Sequence, residues 1–199
     1  VALIDITYFG NPLPLVVADN EAAIEEAIES YEPDYFRAVL GTSLYDAMTA
    51  GRAAKKGVYF SNQFTNQFYK GGIDPRWNWI INGTTFYYCG RNYYWPGIQN
   101  TAKRSPLANY VYWKYLSDVN PRPTSTGGFA DTALENATIA SVRKPMIKAW
   151  NEMVDWNNVL LKLLKSRDPL TGFLWYPEFN GLELCEPESI NVYTHQIPA

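Results

Sequence analysis

The side chains with the widest chemical repertoire are few in this chain. His195 is the only histidine, so no histidine pair is available to a metal and no imidazole stands beside a carboxylate as an acid–base dyad. Its position in the closing stretch reads as a tail residue rather than a catalyst. Cys89 and Cys185 form no CxxC pair, which indicates neither a zinc site nor a disulfide scaffold and makes a reducing compartment the expectation. Glu152 and Asp155 lie three apart, a spacing that puts two carboxylates on one helix face, as a glycosidase would require. Lys148 and Lys162 share that strip, and a solvated, charge-compensated face accounts for all four residues. No G-x-S-x-G, P-loop or G-x-G-x-x-G pattern occurs. The expectation is a protein with no catalytic residue, no cofactor and no metal.

What remains is the chemistry of contact. Aromatic residues make up 16% of the chain, with 15 Tyr and 7 Trp, and two accounts of that excess stand side by side: surfaces that become buried against another molecule, or an aromatic-rich core. The net charge of −3 conceals a partition. Residues 1–50 carry nine acids and one base, 51–123 two acids and ten bases, and 124–199 nine acids and six bases. The basic block includes Lys55, Lys56, Lys70, Arg76, Arg91, Lys103, Arg104 and Lys114. It could face nucleic acid, meet the acidic block of a neighbouring copy, or be neutralised within one subunit. The overall balance argues against a dedicated duplex-DNA binder.

These side chains need elements to hold them. At 199 residues the chain can bury a substantial core, and a single domain with extended ends is expected. The longest helical period runs from Lys144 to Arg167, where Met146, Trp150, Met153, Leu160, Leu161 and Leu164 recur at spacings of three and four. Ala149, Trp156, Val159 and Leu163 widen that arc, so this segment is expected to be the central helix with neighbours on two sides. Asn157 falls inside the arc, where its amide needs partners. Pro145 is either the first helical residue or a kink in a helix beginning near Ala130.

The N-terminal arm alternates Ala2, Ile4 and Ile6 with Leu3, Asp5 and Thr7 before Pro12 and Pro14, which reads as a strand followed by a linker that must pair with the C-terminal tail or another subunit. Asp19 is placed to cap a helix running to about Ser30, Pro33 to open a short second one closed by Gly41, and Thr42 to cap a third ending near Gly51. VYFSNQFTNQFYKGG, from Val58 to Gly72, reads as a long loop or hairpin whose rings form either a contact surface or the packing of an excursion. Stacking of single-stranded nucleic acid there is supported by no recognisable module. Asp74-Pro75 starts a helix with Trp77, Ile80 and Ile81 inward, interrupted by Gly83. Ser105 and Pro106 start another through Leu116. The final thirty residues, rich in Pro and Gly, read as an extended or hairpin tail. No apolar run is long enough to span a bilayer, and no leader-like pattern occurs. The glycosylation acceptor patterns at Asn82 and Asn136 are too short to outweigh that.

EPDYFRAVLGTSLYDAM (Glu32 to Met48), WNWIINGTTFYYCG (Trp77 to Gly90), YWPGIQ (Tyr94 to Gln99) and SPLANYVYWKYL (Ser105 to Leu116), taken in this order, resemble the head–tail adaptor, or neck ring, proteins of tailed phages, most closely those of Bacteroidetes phages and prophages. The resemblance covers mainly residues 31–118 and rests on the order of the segments rather than on any one motif. The NQF loop and the last thirty residues depart from the pattern. The resemblance implies a helical-bundle virion protein, assembled in the host cytoplasm, that forms a ring, typically twelvefold, beneath the portal protein. Such a ring joins the head to the tail or to further neck proteins, with DNA in the channel lumen and no membrane. The expected architecture is therefore mainly α: a bundle around a long central helix, with an extended arm (1–17), a helical core (18–167) carrying a loop (57–73), and an extended, partly β tail (168–199). The residues expected at interfaces are Phe60, Phe64, Phe68, Tyr69, Ile4, Ile6, Arg76 and Arg104. The competing expectation is an aromatic-rich module that binds a glycan or a host protein.

Overall fold

Ile24, Ala27, Ile28, Tyr35, Phe36, Val39 and Leu40 recur at helical spacing and all are buried on one side of α1 (Val17–Leu40). The computed structural model describes residues 2–10, 13, 17–53, 60–61, 68–69, 75–119, 139–170 and 172–179. Helix α1 begins two residues ahead of Asp19 and is one continuous helix, not two. Pro33 lies inside it and deprives the Glu29 carbonyl of a donor, while Ile28 before it and Tyr35 and Phe36 after it are all anchored in the same core. Gly41 ends the helix with φ 75° and its N–H on the Arg37 carbonyl at 3.1 Å, the left-handed cap its position predicts.

Helix α2 (Thr42–Ala53) buries Leu44 and Met48. Two short strands follow, β1 (Phe60–Ser61) and β2 (Phe68–Tyr69), paired antiparallel with Phe60 opposite Tyr69, so the NQF segment takes the hairpin form of its two readings. Helix α3 (Pro75–Asn82) turns Trp77, Ile80 and Ile81 inward. It leads into a second hairpin that periodicity did not reveal, β3 (Thr84–Tyr88) with β4 (Arg91–Trp95). Helix α4 (Pro106–Val119) has Pro106 at its first position. Ser105 passes its carbonyl to the Asn109 N–H at 3.0 Å, yet its buried hydroxyl finds no partner and caps nothing. Helix α5 (Ile139–Leu164) contains Pro145 and ends three residues short of Arg167, so of the two readings the proline within a longer helix holds; Ala130, where that helix was expected to begin, lies outside the described residues.

The protein is mainly α-helical, with small two-stranded sheets. Helix α4 packs against both α1 and α5, most extensively against α5. Trp113 meets Trp150 with ring centroids 4.5 Å apart, and Tyr35 meets Tyr110 at 5.6 Å. The helix with neighbours on two sides is thus α4 as much as the longer α5. The hairpin β3–β4 lies on α5, where Trp95 is fully buried, donates its indole N–H to the Ile80 carbonyl at 2.9 Å and packs on Trp156.

Both ends, where described, fold back onto this core. Residues 2–9 form no strand: Ile6–Phe9 is a turn of 3-10 helix capped by Asp5, and Leu3, Ile4, Tyr8 and Phe9 are buried. The Leu3 N–H donates to Glu32 at 2.7 Å and its carbonyl accepts from Gln99 at 2.5 Å, so long-range bonds replace the strand partner the arm was expected to borrow. After α5, among the described residues, the chain makes one isolated bridge, Arg167 with Leu174, and buries Tyr176 completely against α3. Residues 180–199, with His195 and Cys185, lie outside the described residues.

Candidate functional site

The hairpin β3–β4 illustrates how local chemistry creates a surface. Cys89 and Gly90 both have positive φ, 46° and 80°, the two-residue turn whose twist matches paired strands. In the resulting register Phe86 and Tyr93 stack on the α5 side, with the Lys162 ammonium 4.7 Å from the Tyr93 ring. Alternation then sends Thr85, Tyr87, Asn92 and Tyr94 to the opposite face, where Tyr87 is 54% and Tyr94 67% exposed. Tyr94 faces Thr85 directly and Tyr87 lies on the diagonal, close enough for both rings to meet one partner.

Beside Tyr94 is an open cleft of about 560 Å³ lined by Leu3, Asp5, Tyr8, Pro96 and Lys103 among others. Lys103 adopts the left-handed conformation at φ 51°, uncommon for a residue with a side chain. Its ammonium stands 3.6 Å from Asp5 and 4.6 Å from the Tyr8 ring. The Thr7 hydroxyl and N–H, and then Lys103, hold the Asp5 carboxyl below its usual range. Several of the cleft's amides are committed to backbone, since Gln99 donates to Leu3 and Asn100 to Gly97 and Arg104.

Of the expected interface residues, the side chains of Ile4, Ile6, Arg76 and Arg104 are described. Ile4 is buried in the chain's own core and Ile6 packs against it. Arg76 is spent internally: its side chain donates to the Trp175 carbonyl at 3.0 Å, pairs with Glu178 at 3.4 Å and lies over Trp77, while Tyr176 donates its hydroxyl to the Arg76 carbonyl at 2.8 Å. Arg76 therefore clamps the segment after α5 to α3. Arg104 is exposed. Phe64 lies outside the described residues, and for Phe60, Phe68 and Tyr69 the backbone pairing alone is described.

Among the described residues, few ion pairs join the charged blocks. Lys103 with Asp5 joins the basic to the acidic block, and Lys114 lies over Tyr110 and Trp113. On α1, Glu21, Glu25, Glu26 and Glu29 are all exposed, and among the described residues no lysine or arginine pairs with them. Glu152 does pair with Lys148, at 3.9 Å. No group of His, Cys, Asp and Glu among the described residues could hold a metal, and no described helix is long and apolar enough to cross a membrane.

Sequence reasoning missed one further surface. Leu170, Phe173 and Leu174 are exposed by 94%, 52% and 38% in the loop that follows α5. Asp168-Pro169 with Gly172 marked it as a tight turn, a signal absorbed into the reading of an extended tail. No family model, curated protein or solved structure matches this chain.

Proposed function

We propose that this protein is a virion head–tail adaptor, a structural subunit that assembles with its own copies into a ring beneath a portal and joins the DNA-filled head to the tail. One observation carries the reading: the subunit presents two unlike surfaces, an acidic row on α1 that pairs with no lysine or arginine among the described residues and exposed apolar side chains on the β3–β4 hairpin and the loop after α5. A head-to-tail ring is a heterologous interface, in which one face must complement a different face of the same chain. The order of segments from Glu32 to Leu116, which resembles adaptor proteins, supports the same conclusion. The described parts of the two ends contribute less than their sequence suggests, because Leu3, Ile4 and Tyr176 are covered by the subunit itself. Imaging the purified chain alone and mixed with a portal assembly tests the proposal. Rings on the portal are expected, and a subunit that stays monomeric in its presence overturns it.

The cleft beside Tyr94 favours a second reading, recognition of a glycan by an exposed ring next to polar side chains. Binding to a saccharide array that Tyr94→Ala abolishes, together with indifference to portal, would decide for it.

A further inference from the structure

In the loop after α5, residues 167–170 and 172–174 are cross-braced by hydrogen bonds. Arg167 and Leu174 form an antiparallel bridge. The Asp168 N–H donates to the Phe173 carbonyl at 2.8 Å, the Gly172 N–H to the Asp168 carbonyl at 2.8 Å, and the Leu170 N–H to the Asp168 carboxylate at 3.0 Å. The Arg167 guanidinium closes the ring of bonds on the Gly172 carbonyl at 2.9 Å, and Gly172 supplies the left-handed turn at φ 73°. Below it Ser166 and Tyr176 are buried. The tip displays Leu170, Phe173 and Leu174 to solvent, with Lys165 and Arg167 exposed at its base. A pre-ordered apolar tip loses little conformational freedom on docking, which is the property of an interface anchor.

The exposed face of α1 has the complementary character. Ala22, Glu25, Glu26 and Glu29 follow the i, i+3, i+4, i+7 stripe opposite buried Ile24, Ala27 and Ile28. The helix dipole favours acids only within the first turn, so it does not account for Glu25, Glu26 and Glu29 in a helix that begins at Val17. Ala22 and Ala23 leave a shallow floor between the acids.

We infer that the 167–174 loop of one copy docks on the outer face of α1 of a second copy, Leu170 and Phe173 against Ala22 and Ala23, with Lys165 beside the glutamates. The opposite signs of the two rims argue for a second copy as the occupant. The inference rests on the adaptor reading and specifies the contact that would propagate its ring.

Two variants in a C89S/C185S background test it, one carrying Ala22→Cys and the other Leu174→Cys, joined by a short bismaleimide. A cross-linked dimer is expected from the mixture and not from either variant alone. Leu170→Asp in the loop variant should reduce its yield about tenfold or more. Lys165→Glu should reduce it several-fold, with recovery when the partner carries Glu25→Lys. Circular dichroism of each variant establishes that the fold is intact. Cross-links formed equally by one variant alone, no cross-link in the mixture, or a yield indifferent to Leu170→Asp each overturn the contact. So does loop-dependent binding to phosphatidylserine-containing vesicles without a mixed cross-link. Rings on portal without this cross-link sink the contact and leave the adaptor reading standing; the cross-link without rings does the reverse.

Discussion

The hydroxyl of Tyr35, fully buried, donates to the Asn157 carbonyl oxygen at 2.6 Å, while the Asn157 amide nitrogen has no partner. Burial pushes the Tyr35 phenol well above its usual range, so it stays a donor at any ordinary pH. The pair is half satisfied, and removing one member alone strands the other. Asn157→Leu is expected to cost about 1–3 kcal/mol by orphaning the phenol. Adding Tyr35→Phe should return stability to the wild-type level or above it, since two apolar groups of similar shape demand nothing. Urea denaturation at constant m-value measures both. Tyr31 offers a test by pH, because its hydroxyl donates to the Asp118 carboxylate across α1 and α4. That bond, helped by some burial, pushes its pKa from 10.0 up to about 12. Below the unfolded value both states hold the proton and the bond contributes in full. Between 10.0 and about 12 the unfolded chain ionises first, so stability falls as pH rises. Tyr31→Phe should flatten that alkaline limb and remove one late-titrating phenolate from the absorbance profile; an unchanged limb would show that the bond contributes nothing.

Glycines separate two kinds of demand at the level of elements. Gly83 and Gly97, at φ 91° and 89°, bring the end of α3 against the exit of β4 so closely that an added Cβ would stand 2.5 Å from the backbone of the opposite segment. Backbone cannot step aside, so Gly97→Ala should destabilise by roughly 4 kcal/mol or more, or prevent folding. Gly172→Ala meets nothing within 4 Å and is expected to cost only the conformational penalty of about 1–2 kcal/mol. Thermal denaturation of the two variants side by side would refute this reading if they lost equal stability. The same contrast explains what could be read from the chain beforehand. Helices α2, α3, α4 and α5 were legible because their apolar residues keep a 3.6-residue period and because Gly41 and Pro106 punctuate them, and α1 in its period but not its continuity, since Pro33 lies inside it. The β3–β4 hairpin was not, since TTFYY and RNYYW mix exposed and buried rings of one chemical type, which hides alternation. Cys89-Gly90 is also an unusual filling for a turn that more often takes Asn-Gly. The arm misled for a different reason: buried Leu3–Ile4 and Tyr8–Phe9 are adjacent pairs that fit neither period, and bonds to Glu32 and Gln99, distant in sequence, decide their shape. Of the candidate surfaces, the aromatic excess was visible as composition, but which rings stay outside depends on strand register and on the turn after α5.

At the scale of the whole molecule, the folding-back of the arm bears on how the proposed assembly could use it. An exchanged arm would leave the subunit intact when deleted and would abolish only the association of copies. In the structure Leu3, Ile4, Tyr8 and Phe9 instead belong to the subunit's own core, and the Tyr8 hydroxyl accepts from the Asn100 N–H at 3.1 Å. Complete burial of one such side chain contributes about 1.5–3 kcal/mol, and a domain's net stability is only about 5–15 kcal/mol. Deleting residues 1–9 removes several of these together, so it should destroy cooperative unfolding itself, seen as loss of the thermal transition and of near-ultraviolet dichroism. A truncated chain that still melts cooperatively and has lost only self-association would show that the arm serves a neighbour. Contact between copies has its own signature. If it joins an acidic helix face to a cationic rim around an apolar tip, added salt should slow association by screening the charges beyond about 8–10 Å. Dissociation, governed by the buried apolar centre, should change far less. Stopped-flow measurement of both rates across a salt series distinguishes this from a purely apolar contact, for which the association rate would not fall as salt is raised.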